Sequence, residues 1–417
     1  MSQRDNQKFQ EGKRVLDASQ TSLWRNRDYL LLLSGQVVSS LGSGISQLAF
    51  PLFILALTNS PAQAGFAGTF RTLPYFLLTL PVGALVDRWD RKRVMLISDS
   101  IRAINMAAIP LALLLGHLTV AQLYLNALVE GICSAFFSLS ESSAYPRVVP
   151  KAQIPQAVAQ QAISGGVATL LGPPLGGLLY SFNRLLPFAV DAVSYLASVC
   201  SLLFIQVKFQ AERTAEKRPI WLEIREGLRW LQGNRLIRSL AFLTALINLV
   251  SPDTSTFLLI VIARQQHASA SMISLLFGGI GLGYLLGSFF SNIARQRLGF
   301  GRVIRWTCWL FFLFWILLAA APNLVVLGLF AALFSLVDPI YDVTQFSVRA
   351  ETVPDELQGR IHSVYRLIAL ATPPLGMAMA GLLLQFFGAV VTILFFASFL
   401  LLMAMSATLD REIRRVR

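Results

Sequence analysis

Long apolar runs, most of them twenty residues or more, alternate with short polar breaks along most of this chain. A run of that length is what an α-helix needs to cross roughly 30 Å of hydrocarbon at about 1.5 Å per residue. Dividing the runs at Gly, Pro and charged residues predicts twelve spans, at about 29–57, 62–86, 94–116, 119–141, 156–180, 187–206, 238–262, 269–294, 303–321, 324–348, 361–386 and 389–408. An even number places both ends of the chain on one side. Residues 1–28 are polar and basic with no apolar core, so they read as a tail and not as a cleaved signal peptide. The expected organisation is a tail over 1–28, a six-helix half over 29–206, a linker over 207–237, a second half over 238–408 and a tail over 409–417.

Composition agrees with the pattern. With 417 residues, 55% hydrophobic, 14% charged and a mean hydropathy of +0.61, the chain has too few polar residues to coat a soluble globule. The fold class expected is an all-α membrane protein of twelve transmembrane helices. Lys and Arg are retained on the cytoplasmic face of such proteins. All of them fall on one side of the predicted spans except Arg71 and Arg102, inside spans, and Arg184 and Arg264, in loops on the other side. Both termini are therefore expected in the cytoplasm, with the protein in the inner (plasma) membrane. The net charge of +13 is spread over every inner segment, as this rule and anionic inner-leaflet lipids require; nucleic acid is not an expected partner. Cys133, Cys200 and Cys308 stand singly within spans, and His117, His267 and His362 are isolated. No metal site, cofactor or disulfide framework is expected.

The chain also repeats itself. Val149-Pro150 before the fifth span returns as Val353-Pro354 before the eleventh, and Pro173-Pro174-Leu175-Gly176 returns as Pro373-Pro374-Leu375-Gly376. Gly83 before the first basic loop has its counterpart in Gly287. Two pseudo-symmetric six-helix halves account for all three. Between them, Ile220, Trp221, Ile224, Leu228 and Leu231 fall on one helical face, which predicts a short amphipathic helix on the membrane surface.

The densest charge cluster, Gly83-Ala84-Leu85-Val86-Asp87-Arg88-Trp89-Asp90-Arg91-Lys92-Arg93, joins the second and third spans. Its spacing resembles the loop between helices 2 and 3 of the major facilitator superfamily of secondary transporters. With Asp99, Arg102, the run Glu226 to Leu231 and the stretch Val353 to Arg360, the chain looks most like the branch containing macrolide-efflux proteins and the enterobactin exporter. Many members carry Gly where this chain has Asp90, and the second copy of the loop has Ser291 in place of the acid at Asp87. The resemblance implies halves that rock about a central site. It also implies that Asp87, with Gly83, Arg88 and Arg91, latches their inner faces together against a positive helix end. Asp99 and Arg102 are expected to support that latch. The plainer reading, which Arg93 fits, is that the basic residues obey the topology rule.

The fifth span carries Gly172-Pro173-Pro174-Leu175-Gly176-Gly177, which resembles the motif of exporters and antiporters in this superfamily, with Ala168 where Gly is usual. Small residues permit close helix approach, so Gly172, Pro173, Gly176 and Gly177 serve either that motif or a packing kink. Arg71 and Glu130 are ionisable groups at similar depth near the midplane, where charge is expensive and functional. They are expected to pair, with Glu130 as the proton-coupling group or as half of a static ion pair. In this fold spans 1, 4, 7 and 10 line the cavity, so Glu130, Asp253, Asp338 and Asp342 are expected to give it a negative potential suited to cationic substrates, with Gln36, Ser40, Gln47, Tyr75 and Tyr341 adding polar and aromatic contacts; the alternative for Asp342, with Arg349, is the inner gate.

The function expected is export of small amphipathic organic molecules in exchange for protons by a monomer in contact with membrane lipids. The alternatives are a lysophospholipid flippase, an uptake carrier, or a membrane sensor that keeps the fold without transport. No nucleotide loop or nucleophile constellation points to an enzyme.

Overall fold

The computed structural model describes residues 23–86, 88–150, 153–207, 209 and 220–415. Its helices are α1 (Arg27–Thr58), α2 (Pro61–Val86), α3 (Arg91–Leu114), α4 (Val120–Val148), α5 (Ile154–Phe182) and α6 (Leu186–Phe204) in the first half. They continue with α7 (Ile220–Gly233), α8 (Arg235–Leu249), α9 (Pro252–Gln265), α10 (Ala270–Leu298), α11 (Phe300–Leu318), α12 (Leu324–Thr352), α13 (Asp355–Leu409) and α14 (Arg411–Arg415).

Local chemistry sets the boundaries. Asn26, Asp90, Thr119, Asn234, Ser269 and Asn323 each cap a helix by accepting a hydrogen bond from the backbone N–H three residues on, which satisfies one of the otherwise orphaned first-turn donors. Asp90, the departure from the loop pattern, is thus the cap of α3. The seventh span is broken into α8 and α9 at Val250-Ser251, where Pro252 starts the new helix and Ser251 caps it through the Thr254 N–H. The last two spans run as one helix except at Gly388, whose φ of 78° reverses the chain, a conformation open to a residue without Cβ.

Ten helical stretches among the described residues are long and apolar enough to cross a membrane. The last of these, Arg360–Leu409, holds two crossings about Gly388. Helix α2 packs on α4 and α13. The result is an all-α, twelve-crossing membrane fold. Large apolar side chains such as Leu114, Phe182, Leu275 and Val325 stay on its outside, the surface a lipid-facing belt requires.

Within the first half α1 packs on α5 and α6, α3 on α4 and α6, and α2 on α4. In the second half α10 packs on α12, α11 on α12 and α13, and α8 on α13. The sequence repeat is realised in atomic contacts: a Cβ on Gly176 of α5 would collide with the Ile45 carbonyl of α1, and one on Gly376 of α13 with the Leu249 carbonyl of α8. The halves meet along two seams, α2 against α13 and α5 against α10. Linker helix α7 lies on α13, where the Gly227 backbone nears Val364 and Glu226 pairs with Arg360 at 2.7 Å. The side chains of Ile220, Trp221 and Ile224, on which its amphipathic face was read, lie outside the described residues.

Replacing Gly176 or Gly376 with valine forces the helix backbones apart. An overpacking cost of about 1–3 kcal/mol is expected, read as a lower apparent Tm in detergent. Gly279→Ala, at a position with nothing within 4 Å, is the control and leaves Tm unchanged or raised.

Candidate functional site

The chemistry gathers inside the first half. Arg102, one turn along α3 from Asp99, points inward and is 7% exposed. An ionised guanidinium so placed loses several kcal/mol of hydration and needs acceptors. It finds them on four helices, the longest bond running from Nη2 to Ser43 Oγ of α1 at 3.4 Å. Its Nε and Nη2 donate to Glu130 Oε1 of α4 at 3.0 and 2.7 Å, Nη1 to Asp99 Oδ1 at 3.3 Å, and Nη2 also to Tyr195 Oη of α6 at 2.6 Å. Tyr195 in turn donates to Glu130 Oε1 at 2.9 Å and lies 2.8 Å from Ser43 Oγ of α1. The guanidinium carbon sits 4.0 Å from the centre of the Tyr195 ring, a cation–π contact. A second polar pair, Asn105 with Asn126, ties α3 to α4. Two carboxylates, Asp99 and Glu130, thus hold one arginine, and each has one buried oxygen without a hydrogen bond among the described residues.

This overturns the expected partnership of Glu130. Its cation is Arg102, not Arg71. Depth alone placed Arg71 beside Glu130, but helix rotation decides which side chains face each other, and α4 turns Glu130 toward α3 and α6. Arg102 and Asp99 likewise belong to this network and not to the loop they were expected to support.

Arg102 also forms part of the wall of a cavity of about 320 Å³. Gln36, Ser40, Gln47 and Tyr75 line it, with Gln36 Nε2 donating to Ser40 Oγ at 3.2 Å. Further along the wall stand Ser134, Ser138 and Glu141 of α4. Glu141 was missed because the fourth span was expected to stop there, whereas α4 continues to Val148. The signal was present in Val149-Pro150, which ends the helix.

Arg71 instead borders a smaller cavity of about 40 Å³ with Gln47 and Asp253. There Gln47 Nε2 donates to Asp253 Oδ1 at 2.6 Å, joining α1 to α9 across the halves. Ser60 Oγ to Gln385 Oε1 at 2.8 Å, Arg264 Nη2 to the Leu52 carbonyl at 3.4 Å and Thr69 Oγ1 to the Pro374 carbonyl at 3.2 Å join them at the same end, the one away from the basic loops. Gly65 and Gly381 bring the α2 and α13 backbones into contact there. The larger cavity lies between this closure and the basic end.

Asp338 and Asp342 share one face of α12, half-buried and exposed respectively, and make no ion pair among the described residues. The repeat that relates Val149 to Val353 relates cavity-lining Ser134 and Ser138 to these two acids. Tyr341 is a correction. It is 1% exposed, accepts from Gln345 Nε2 at 2.8 Å and packs edge-on against Phe311 at 5.7 Å, so it belongs to the core of the second half, one helical face away from any cavity.

In the basic loop Asp87 lies outside the described residues, Arg88 is exposed and Gly83 has open space around it. Arg91 Nη1 donates to the Ser143 and Phe209 carbonyls at 2.8 and 3.2 Å, and Lys92 Nζ to that of Ile205 at 2.6 Å. These bonds serve carbonyls of their own half, including that of the residue closing α6. In α5, Gly172 meets Gly44 of α1, Gly176 meets Ile45, and Gly177 faces Ala270 and Ser274 across the seam to α10. Gly44 supplies on α1 the smallness that Ala168 lacks, standing under the Ala168 carbonyl. Pro173 lies inside the helix.

Arg102→Gln strands Glu130 without its cation, a loss of about 3–5 kcal/mol expected as a large drop in apparent Tm. The double variant Arg102→Gln/Glu130→Gln is expected to recover most of it. Arg71→Gln, which breaks no ion pair among the described residues, costs much less in the same assay.

Comparison with known proteins agrees with this architecture. A family model described as a transmembrane secretion effector matches residues 18–417. Macrolide efflux protein A of Streptococcus pyogenes is 24% identical over 405 residues, spanning 94% of this chain and 98% of its own. Multidrug efflux pump Tap of Mycolicibacterium fortuitum is 27% identical over 364 residues, 84% and 88% of the two chains. A bacterial homologue of the iron transporter ferroportin, 16% identical, superposes in its inward-facing state with a TM-score of 0.72 over 93% of this chain and 99% of that one. Its outward-facing structure superposes at 0.61 over 91% and 98%. The chain belongs to the transmembrane secretion effector family of the major facilitator superfamily, and is a transporter and not an enzyme.

Proposed function

We propose that this protein exports small amphipathic organic molecules across the inner membrane by alternating access, in exchange for protons. Both termini lie in the cytoplasm in this reading, placed there by the one-sided distribution of Lys and Arg, and the protein works as a monomer. The observation that carries the reading is Arg102. It forms part of the cavity wall and simultaneously holds Glu130, so a proton on Glu130 and a molecule in the cavity act on the same guanidinium.

The position of the closure supports an inward-facing state. The halves touch through Gln47 and Asp253 and through Ser60 and Gln385, and the cavity lies on the cytoplasmic side of these contacts. The higher TM-score to the inward-facing ferroportin homologue points the same way. Efflux relatives favour export over uptake. In the opposite state Asp87, Arg88 and Arg91 join the halves at the basic end, a role that rests on the family's loop alone. Arg71, beside Gln47 and Asp253, faces the region that opens.

In energised everted vesicles, addition of a transported macrolide or lipophilic cation is expected to release protons from the lumen, and Glu130→Gln vesicles with equal protein are expected to lose that response. Unchanged proton release in Glu130→Gln would overturn the coupling role. With Cys133, Cys200 and Cys308 replaced, the pair Ser60→Cys/Gln385→Cys joined by a short thiol cross-linker is expected to abolish transport, and each single cysteine with the same reagent to retain it.

A further inference from the structure

Glu141 stands apart from the Arg102 network, three helical turns nearer the basic end of α4, and the proposed cycle as stated gives it no task. Its carboxylate is in the wall of the larger cavity and the residue is 4% exposed. Its hydrogen bonds among the described residues, from Tyr145 Oη at 3.3 Å and from Gln161 Nε2 at 3.1 Å, both go to Oε1. No Lys or Arg pairs with it among the described residues. A carboxylate so deeply placed without a cation is costly to keep, and neutral hydrogen bonds to one oxygen leave the other to meet whatever enters the cavity.

The surroundings define what that is. Phe137, one turn before Glu141, and Tyr75 give the wall aromatic surface, and Ser138, Thr169 and Gln36 supply hydroxyls and an amide. Among the described residues Arg102 is the one cation in the wall, and its guanidinium is already bound by Glu130 and Asp99 and makes no hydrogen bond to Glu141. On the other half, Asp338 and Asp342 occupy the positions that the repeat relates to Ser134 and Ser138, and they too make no salt bridge among the described residues.

We propose that Glu141 is the specificity-determining anchor for a protonated amine, so that the substrates are amphipathic organic cations whose ammonium group donates to its carboxylate while the apolar body lies against Phe137 and Tyr75. Tyr145 and Gln161 position the carboxylate. This assignment rests on the cavity being the substrate site of the export reading.

The test uses two probes that differ in one group, a dansyl-labelled alkylamine and the dansyl-labelled alcohol of the same chain length. Binding to the purified full chain is followed by dansyl fluorescence, and export by uptake into energised everted vesicles. A charge-assisted hydrogen bond in a buried site is worth about 1.5–3 kcal/mol, so the wild type is expected to prefer the amine by about tenfold or more. In Glu141→Gln the ratio of the two affinities is expected to fall to about 1, and in Glu141→Asp to stay above it. A ratio unchanged in Glu141→Gln overturns the proposal, as does equal weakening of both probes, which would make Glu141 a structural partner of Tyr145 and Gln161. Absence of binding by either probe to the wild type also overturns it. Amine-selective binding without uptake into vesicles keeps the assignment of Glu141 and defeats the export reading instead.

Discussion

The first half is organised by the need to hold one ionised guanidinium where water cannot solvate it. Arg102 meets that need with acceptors drawn from its own helix, from α4 and from α6, and through Tyr195 with Ser43 of α1. Four helices therefore have fixed rotations about their axes, because each must present one particular side chain to one centre. Electrostatic terms are large in such an interior and fall away quickly if geometry is lost. The second half shares the fold without the constraint. Where the repeat places Glu130 it places Phe334, and Phe334 sits in an aromatic cluster with Phe311 and Trp315, at 5.0 and 5.4 Å between ring centres. One half is centred on a buried ion network and the other on apolar packing within the same symmetric scaffold.

Symmetry survives this difference because it resides in backbone contacts. Gly176 on Ile45 and Gly376 on Leu249 are the same approach made twice, and each demands only that a side chain be missing. The seams between halves use the same device. Along α5 and α10, Gly177 lies against Ala270 and Ser274, and Gly281 against Leu170, while Gly165 and Gly166, nearer the basic end, have nothing within 4 Å. The seam is tight toward one end and slack toward the other. A rigid-body rotation of the halves exchanges those conditions without breaking helical hydrogen bonds, which lipid forbids.

Spans, repeat and basic loop were legible because hydropathy, prolines and charge are properties of the sequence alone. The pairing of Glu130 was not. Sequence spacing yields depth along a helix to within a turn, but the rotation that turns Glu130 toward Arg102 and away from Arg71 is set by packing of α3, α4 and α6 together. Tyr341 failed for the same reason: it and Asp338 are three residues apart, yet one faces Phe311 in the core and the other does not. Glu141 was lost through an end error, since a carboxylate at the edge of an apolar run reads as the end of a helix. The break between α8 and α9 was foreshadowed by Ser251-Pro252, a helix cap and a proline inside what hydropathy alone treats as one span.

The arrangement at Arg102 has a thermodynamic consequence for the proposed cycle. Its guanidinium has a finite set of donors, two of them committed to Glu130 Oε1 and the same Nη2 also to Tyr195. Protonating Glu130 weakens that hold and changes the cavity wall that Arg102 and Tyr75 share. By linkage the converse holds with equal free energy: a molecule that alters Arg102 from the cavity side must alter the proton affinity of Glu130 by the same factor. Exchange therefore needs no relay between distant sites. It needs one group that both ligands perturb, placed between them, and a pair of seams that lets the halves rotate once the balance at that group has shifted.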